Sequence, residues 1–234
     1  MRNLLPWAAL AALIFLTSCE EDIDANPPES PTLLPHTAET DTLPVEVGID
    51  ALPGCNCILL QWIPNTEEDL AEYEIFRSTQ ENSGYVSLTI VPNSESTYTD
   101  NNLSPLFARY YYYMVAKDRL GNTSEPSAGV NYKLTGKPVP NAPAKWDTVS
   151  SDSVLFEWTW DGGLEGMGFL TRLYSLDADS TCWMGWTNAY VRPLRIYSPA
   201  VPAGDYKWRV DYIGTMGSSK DEGSESNWVP FSKK

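Results

Sequence analysis

The stretch RYYYYMVAKDRLGNTS, residues 109–124, alternates between two sets of side chains over its first eight positions. Side chains on a β-strand point to opposite faces in turn, so residues of one parity share a face. Four apolar residues share one parity here: Tyr110, Tyr112, Met114 and Ala116. The stretch therefore predicts a half-buried strand, and Gly121-Asn122, which tolerate positive φ, predict the turn that ends it.

Further strand-like segments surround this stretch and are separated by turn-forming residues. In the first half they are CILLQWIP (57–64), AEYEIFRS (71–78), GYVSLTIV (84–91), STYTD (96–100) and PSAGVNYKL (126–134). Short strands at this spacing are typical of a β-sandwich, in which two sheets enclose one core.

The order of aromatic and polar residues over 45–135 resembles a fibronectin type III domain. The resemblance rests on Trp62, Tyr73-x-Ile75-x-Arg77, TYTDNNL (97–103) and Tyr110-x-Tyr112-x-Met114-x-Ala116-x-Asp118-x-x-Gly121-Asn122-x-Ser124. Leu103 precedes Tyr110 by seven residues, which matches that family's tyrosine corner, where the phenol bonds back to the backbone. The resemblance implies a seven-stranded sandwich and no particular chemistry, because the fold serves as a spacer and as a binding scaffold.

The same plan repeats over 138–234, after KPVPNAPA (137–144), which we interpret as the joint between two domains. Its strand-like segments are VLFEWTWD (154–161), GFLTRLYSLD (168–177), STCWMGWTN (180–188), LRIYSP (194–199), PAGDYKWRVDY (202–212) and ESNWVPF (225–231). The resemblance to a fibronectin type III or related Ig-like module is looser, because IGTMGSSKDEGSES (213–226) replaces the Gly-Asn turn. The predicted fold class is all-β, with two tandem fibronectin type III-like β-sandwiches after a signal peptide and a disordered linker.

The N-terminus reads MRNLLPWAALAALIFLTSC, residues 1–19. Its apolar run, 4–16, would be about 20 Å long as a helix, too short for a bilayer core of roughly 30 Å. It therefore predicts a secretion signal over 1–18. Leu16-Thr17-Ser18-Cys19 resembles the lipobox of bacterial lipoproteins, which implies that Cys19 carries fatty acyl chains such as palmitate and anchors the chain in a membrane. The alternative is an ordinary signal with an incidental cysteine.

Acidic residues follow the cysteine directly, at Glu20, Glu21 and Asp22. They resemble the sorting tract of surface-exported lipoproteins, which implies an outer-membrane protein at the cell surface; the alternative is the periplasmic face. Residues 19–44 are rich in Pro, Glu and Thr and have no apolar periodicity, which predicts a disordered tether. His36, the only histidine of the chain, lies in this tether, so no Ser-His or Cys-His pair is expected in the sandwiches.

Three cysteines remain in the sandwiches. Cys55 and Cys57 would have Cα atoms about 6.6 Å apart in an extended strand, near the outer limit for a disulfide. A bend at Gly54 would bring them together, so a bridge and two free thiols both stay open. Cys182 is interpreted as a lone thiol. A metal site would require two more ligands near the cysteine pair, so neither a metal nor another cofactor is predicted.

Seven of the nine tryptophans fall in the second half: Trp146, Trp158, Trp160, Trp183, Trp186, Trp208 and Trp228. Trp158 and Trp208 are predicted core residues. Trp160, Trp183 and Trp186 are harder to place in a small core. They either pack the core or the joint, or form a surface on which sugar rings stack.

The net charge of −15 argues against a nucleic-acid partner, because phosphates would be repelled. No nucleophile elbow, zinc-protease helix or phosphate-binding loop occurs in the sequence. The sequence therefore predicts a non-enzymatic, lipid-anchored envelope protein that presents a binding or spacer surface to a protein or glycan partner. The alternative is a carbohydrate-binding accessory protein of a glycan uptake or degradation system that uses the surface tryptophans.

Overall fold

The computed structural model describes residues 26–37, 47–101, 103–104, 106–162, 168–191, 193–214 and 221–234. Every regular element in these ranges is a β-strand, and they form two sandwiches in tandem. The predicted all-β class with two fibronectin type III-like sandwiches is confirmed. No helix that could cross a membrane occurs in the described ranges.

In its described residues, the first sandwich contains eight strands: β1 (Thr32–Leu33), β2 (Asp50–Ala51), β3 (Ile58–Ile63), β4 (Leu70–Ser78), β5 (Val86–Pro92), β6 (Thr97–Asp100), β7 (Arg109–Asp118) and β8 (Val130–Leu134). One sheet has β3 at its centre, with β1 and β2 along one edge and β6 along the other. The facing sheet has the order β8-β7-β4-β5. This two-sheet arrangement is the one that the fibronectin type III pattern implies.

Strand β7 supplies the centre of the first core, as its alternation predicts. Tyr110, Tyr112, Met114 and Ala116 are all buried. The Tyr112 hydroxyl donates a hydrogen bond of 2.8 Å to the Asp100 carboxylate, and the Arg77 guanidinium also donates to it at 2.9 Å. Because each polar group has a partner, the core accommodates them without a large desolvation penalty.

The part of the second sandwich that the structure describes contains nine strands: β9 (Val139–Ala142), β10 (Thr148–Val149), β11 (Ser153–Thr159), β12 (Gly168–Ser175), β13 (Ser180–Asn188), β14 (Arg195–Ala200), β15 (Gly204–Ile213), β16 (Glu222–Glu225) and β17 (Val229–Lys233). Its sheets have the orders β14-β11-β9 and β10-β17-β15-β12-β13. The segment 137–144 is thus more than a joint, because β9 lies within it and pairs with β11.

The two sandwiches are joined through strand β16. It pairs antiparallel with β15 and parallel with β8, so one ten-stranded sheet runs through both domains. Side chains reinforce the junction: the Ser224 hydroxyl donates to the Gly136 carbonyl at 2.5 Å, and the Lys133 ammonium lies 3.1 Å from the Glu222 carboxylate. The part of 213–226 that the structure describes is therefore ordered by pairing with both domains.

The N-terminal segment 26–37 corrects the prediction of a disordered tether. Strand β1 pairs with β3, and Leu33 is buried in the first core. The Nδ1 atom of His36 lies 3.0 Å from the Ile49 carbonyl oxygen, and its ring packs edge-on against Tyr132. The composition of the segment is that of a tether, but one buried leucine and a ladder of backbone bonds fix it to the sandwich. Residues 1–25 and 38–46, including Cys19, lie outside the described residues.

Candidate functional site

Two of the three tryptophans predicted as sugar-stacking residues line the second core. The Trp160 ring stacks on Tyr212 with centroids 4.3 Å apart. The Trp183 ring stacks on Phe156 at 5.7 Å. Both side chains are only partly buried, but each has a ring face occupied by a core aromatic residue.

Trp186 differs from its neighbour Trp183, three positions earlier on the same strand. It is 39% exposed, and it lies against Gly168 instead of against the core cluster. The three predicted residues therefore do not share one solvent-exposed face.

Cys55 and Cys57 are joined by a disulfide, with Cα atoms 5.2 Å apart. The chain reaches this separation by bending, and Gly54 at a φ of +85° lies next to the bend. The Lys137 ammonium, which comes from the segment between the domains, donates to the carbonyls of Leu52 and Cys55. Cys182 is a free thiol, and partial desolvation raises its pKa, which favours the protonated form.

The hydrogen bond of a tyrosine corner is present in the second sandwich, where the sequence did not predict it. The Tyr206 hydroxyl donates to the carbonyl of Pro202, four residues upstream, at 3.0 Å. In the first sandwich Tyr110 and Leu103 are both buried, and the Arg77 guanidinium lies 5.8 Å from the Tyr110 ring centroid. The corner at Tyr110 stays a prediction.

Within the described ranges, no group of three or more His, Cys, Asp or Glu side chains is close enough to hold a metal ion. His36 is packed against Tyr132, and its Nδ1 atom lies 3.7 Å from a carboxylate oxygen of Asp50. These contacts fix the N-terminal segment to the first sandwich and give the imidazole a structural role.

A groove on the outer face of the first sandwich is the best candidate for a functional site. Its floor consists of Tyr111 and Tyr113, the two residues of β7 that alternate with the buried tyrosines. One wall is the loop 81–85, and the other is the segment 126–131. The cavity between them has a volume of about 380 Å³, which is within the size range of small-molecule sites.

Contacts among three aromatic rings order the groove. Phe76 of β4 stacks on Tyr113 with centroids 4.7 Å apart, and Tyr85 packs on Tyr113 at 4.8 Å. Tyr85 also donates a hydrogen bond of 2.8 Å to the Glu81 carbonyl, which fixes the wall loop. Because these groups are already ordered, a ligand would lose little affinity to their immobilisation.

Burial raises the pKa of Tyr85, and the neighbouring Tyr111, Tyr113 and Glu81 raise it further. The Tyr85 phenol is therefore neutral at physiological pH. Asn82 and Asn131 add amide groups to the lining, and Arg109 holds the Asn131 side chain in place by donating to its Oδ1 atom at 2.8 Å. The groove can thus offer apolar ring surface and hydrogen-bonding groups to one ligand.

The corresponding face of the second sandwich is closed. There the Arg209 guanidinium makes two hydrogen bonds, of 2.8 and 2.7 Å, with the Glu225 carboxylate. Arg172 donates to Asp211 at 2.8 Å, and the Trp228 ring lies 5.0 Å from the Arg209 guanidinium carbon. All four charged side chains are buried, so this network fills the face that is open in the first sandwich.

Sequence analysis missed the groove, although the signal was present. The period of two that places Tyr110 and Tyr112 in the core also places Tyr111 and Tyr113 outside it. What the period does not reveal is that Phe76 and Tyr85, from other parts of the chain, meet Tyr113 on that outer face.

No family model and no curated protein matches the sequence. Among solved structures, the FN1–FN3 domains of chicken CNTN1 match with a TM-score of 0.42 and 13% identity, over 89% of this chain and 68% of that chain. A Fn3-like protein from Clostridium thermocellum matches with a TM-score of 0.32 and 23% identity, over 45% of this chain and 92% of that chain.

A beta-1,2-glucanase from Parabacteroides distasonis also matches, with a TM-score of 0.34 and 23% identity, over 48% of this chain and 14% of that chain. Scores and identities this low carry no information about activity. The strand order described above, and not these similarities, carries the assignment of two fibronectin type III-like sandwiches.

Proposed function

We propose that this chain is a non-catalytic, lipid-anchored protein of the bacterial cell envelope that presents a binding surface on two rigidly joined β-sandwiches. Acyl chains at Cys19 hold it in the outer membrane, and the acidic tract that follows directs it to the cell surface. The aromatic groove of the first sandwich is the single observation that carries the binding role. The sheet that runs through β8, β16 and β15 supports a rigid presentation of that groove.

The contacts of Trp160, Trp183 and Trp186 do not favour a glycan-stacking surface made of these three residues. Trp160 and Trp183 each stack on a residue of the second core, and Trp186 lies apart from that cluster. A binding surface is therefore better sought on the first sandwich.

The anchor is tested by growing producing cells with an alkyne-tagged palmitate. The mature protein should take up the tag and fractionate with the outer membrane, and Cys19→Ser should abolish both. External protease on intact cells should digest the sandwiches if they are at the surface. Protection from it would place them on the periplasmic face, and an untagged product would overturn the anchor.

The binding role is tested by hydrogen–deuterium exchange on the mature chain, residues 19–234 with Cys19→Ser, with and without a total envelope extract. Peptides that cover 81–85 and 126–131 should exchange more slowly in the extract. If no peptide of either sandwich is protected, the chain presents no binding surface and the spacer role alone remains.

A further inference from the structure

We infer that the aromatic groove of the first sandwich binds a neutral carbohydrate, with a tyrosine ring against the apolar face of a sugar ring. This inference rests on the proposed binding role and specifies its ligand. The groove residues are different from the tryptophans on which the sequence-based glycan prediction depended, and they lie in the other domain.

The shape of the aromatic surface favours a sugar over an ammonium ion. An aromatic cage surrounds a cation with rings that stand apart from one another. Here Phe76 and Tyr85 both contact Tyr113, with centroids 4.7 and 4.8 Å from its own, so no space for a cation separates these rings. Phe76 stacks on Tyr113 with ring planes 11° apart, and Tyr85 is tilted by 57° against it. Tyr111, the other ring of the floor, is therefore the one that can stack on the C–H face of a pyranose.

The polar lining matches the rim of the same sugar. The phenols of Tyr111 and Tyr113, the amides of Asn82 and Asn131 and the carboxylate of Glu81 surround the aromatic surface. Sugar hydroxyls both donate and accept, so they can pair with each of these groups. A purely apolar ligand would desolvate these groups without replacing their hydrogen bonds, at a net loss of free energy.

The charge of the groove selects a neutral ligand. Among the described residues that line it, Glu81 is the only charged one. The net charge of the chain is −15. Uronic acids, sulfated sugars and nucleotides would therefore be repelled both locally and at long range.

The position of the groove argues against an added peptide strand. It lies on the face of the sheet, where β7 and β8 already pair with each other through their backbones. A peptide that binds by strand addition needs an unpaired sheet edge. A proline-rich peptide, which needs no edge, is the remaining competitor.

The test uses the mature chain, residues 19–234 with Cys19→Ser. It is applied to an array of neutral oligosaccharides of glucose, mannose, galactose, xylose and N-acetylglucosamine, beside uronate and sulfated oligosaccharides and proline-rich peptides. Hits are measured by titration calorimetry. We expect neutral sugars to bind, and Tyr111→Ala to weaken the binding about tenfold, the loss expected from removing one stacked ring.

Three further variants make the test specific. Tyr111→Phe keeps the ring and should keep most of the affinity. Tyr197→Ala removes an exposed tyrosine of β14 in the second sandwich and should change nothing. Glu81→Gln should raise the affinity for uronate oligosaccharides several-fold, because it removes the repelling charge. Circular dichroism confirms that each variant is folded.

The inference is overturned if no neutral sugar binds at millimolar concentration, if proline-rich peptides or acidic sugars bind instead, or if Tyr111→Ala leaves sugar binding unchanged. Such a result leaves the proposed binding role standing wherever the exchange experiment still shows protection at 81–85 and 126–131. If the exchange experiment shows no protection at these two segments either, both the carbohydrate inference and the proposed binding role are overturned.

Discussion

The two sandwiches carry different side chains on the outer face of corresponding strands, β7 in the first and β15 in the second. In β7 the outward residues are aromatic, at Tyr111 and Tyr113, and they form the floor of an open groove. In β15 two outward residues, Arg209 and Asp211, lie in a buried ionic network, and Arg209 occupies the position of Tyr113 when Tyr206 is matched with Tyr110. One domain leaves this face accessible, and the other seals it.

The difference shows in which sandwich the outward side chains of this strand contribute little to stability. In the second sandwich the outward charges are buried and paired, so removing one leaves another without its partner. In the first sandwich the outward rings lie at the surface of a core that is already complete without them. The face that contributes less to stability is the one available for a ligand.

Arg209→Ala should have the largest effect on stability. The Arg209 guanidinium contacts the buried carboxylates of both Glu225 and Asp211, and its removal takes this partner from each of them. Removing one partner of a buried ion pair lowers the free energy of unfolding by about 3–5 kcal/mol. Tyr113→Ala, at the equivalent position of the first sandwich, should cost only about 1–2 kcal/mol. Urea denaturation of both variants measures the free energies of unfolding.

Arg195→Ala is the control for this pair of variants. Arg195 and Glu157 form an exposed ion pair with atoms 3.9 Å apart, and such pairs contribute about 1 kcal/mol at most. Equal losses for Arg209→Ala and Tyr113→Ala would contradict the distinction between a sealed face and an open face.

Tyr206→Phe should destabilise the second sandwich by about 1 kcal/mol, because it removes the hydroxyl that donates to the Pro202 carbonyl and keeps the ring. Tyr110→Phe is the matching change in the first sandwich. A similar loss there would support a tyrosine corner at Tyr110, and no loss would restrict the corner to the second sandwich. Thermal denaturation followed by near-ultraviolet circular dichroism distinguishes these outcomes.

Glu222→Gln should weaken the coupling between the sandwiches by about 1 kcal/mol or less. The carboxylate lies 3.1 Å from Lys133 and 3.7 Å from Arg109, both of which belong to the first domain. Glu74→Gln removes an ion pair with Lys117 inside the first sandwich and is the control. In calorimetry, the two sandwiches should unfold less cooperatively, as two transitions, in Glu222→Gln and not in Glu74→Gln. If Glu222→Gln leaves the coupling unchanged, the β16 backbone alone joins the domains.

The smallest expected effect is on the acid sensitivity of the turn at Asp118. Burial by itself would raise the pKa of Asp118, but hydrogen bonds from Asn122, Leu120 and Gly121 outweigh it and hold the pKa below its usual value. A lowered pKa adds stability that is present above the unfolded value of about 3.9 and is lost as the pH falls through the folded value. Asp118→Asn should remove this pH dependence from the first sandwich and leave that of the second unchanged, as measured by urea denaturation across acidic pH.

Local alternation was enough to predict the sandwiches and their core residues. Tyr112 and Trp208 are buried as their positions indicate, because the period of a half-buried strand is visible in a short window. Strand β16 was not predicted, because it depends on pairing with β8, about 90 residues earlier in the chain. Segment 26–37 was missed for the same reason: its composition resembles a tether, and only its pairing with β3 identifies it as part of the fold.

The candidate site was predictable only in part. Composition does not show which ring stacks on which, so the sequence leaves Trp160, Trp183 and Trp186 open between core packing and a sugar-binding surface. The groove needs Phe76, Tyr85 and Tyr113 together, and only the tertiary structure brings β4, β7 and the loop 81–85 to one place.

The docking of segment 26–37 also limits how far the protein can reach from a bilayer. With that segment bound to the first sandwich, six residues, 20–25, separate it from Cys19, and six residues extend at most about 20 Å. An acylated Cys19 would therefore keep the first sandwich beside the lipid headgroups. The rigid double sandwich, and not a flexible stalk, would then set how far its outer end projects from the cell.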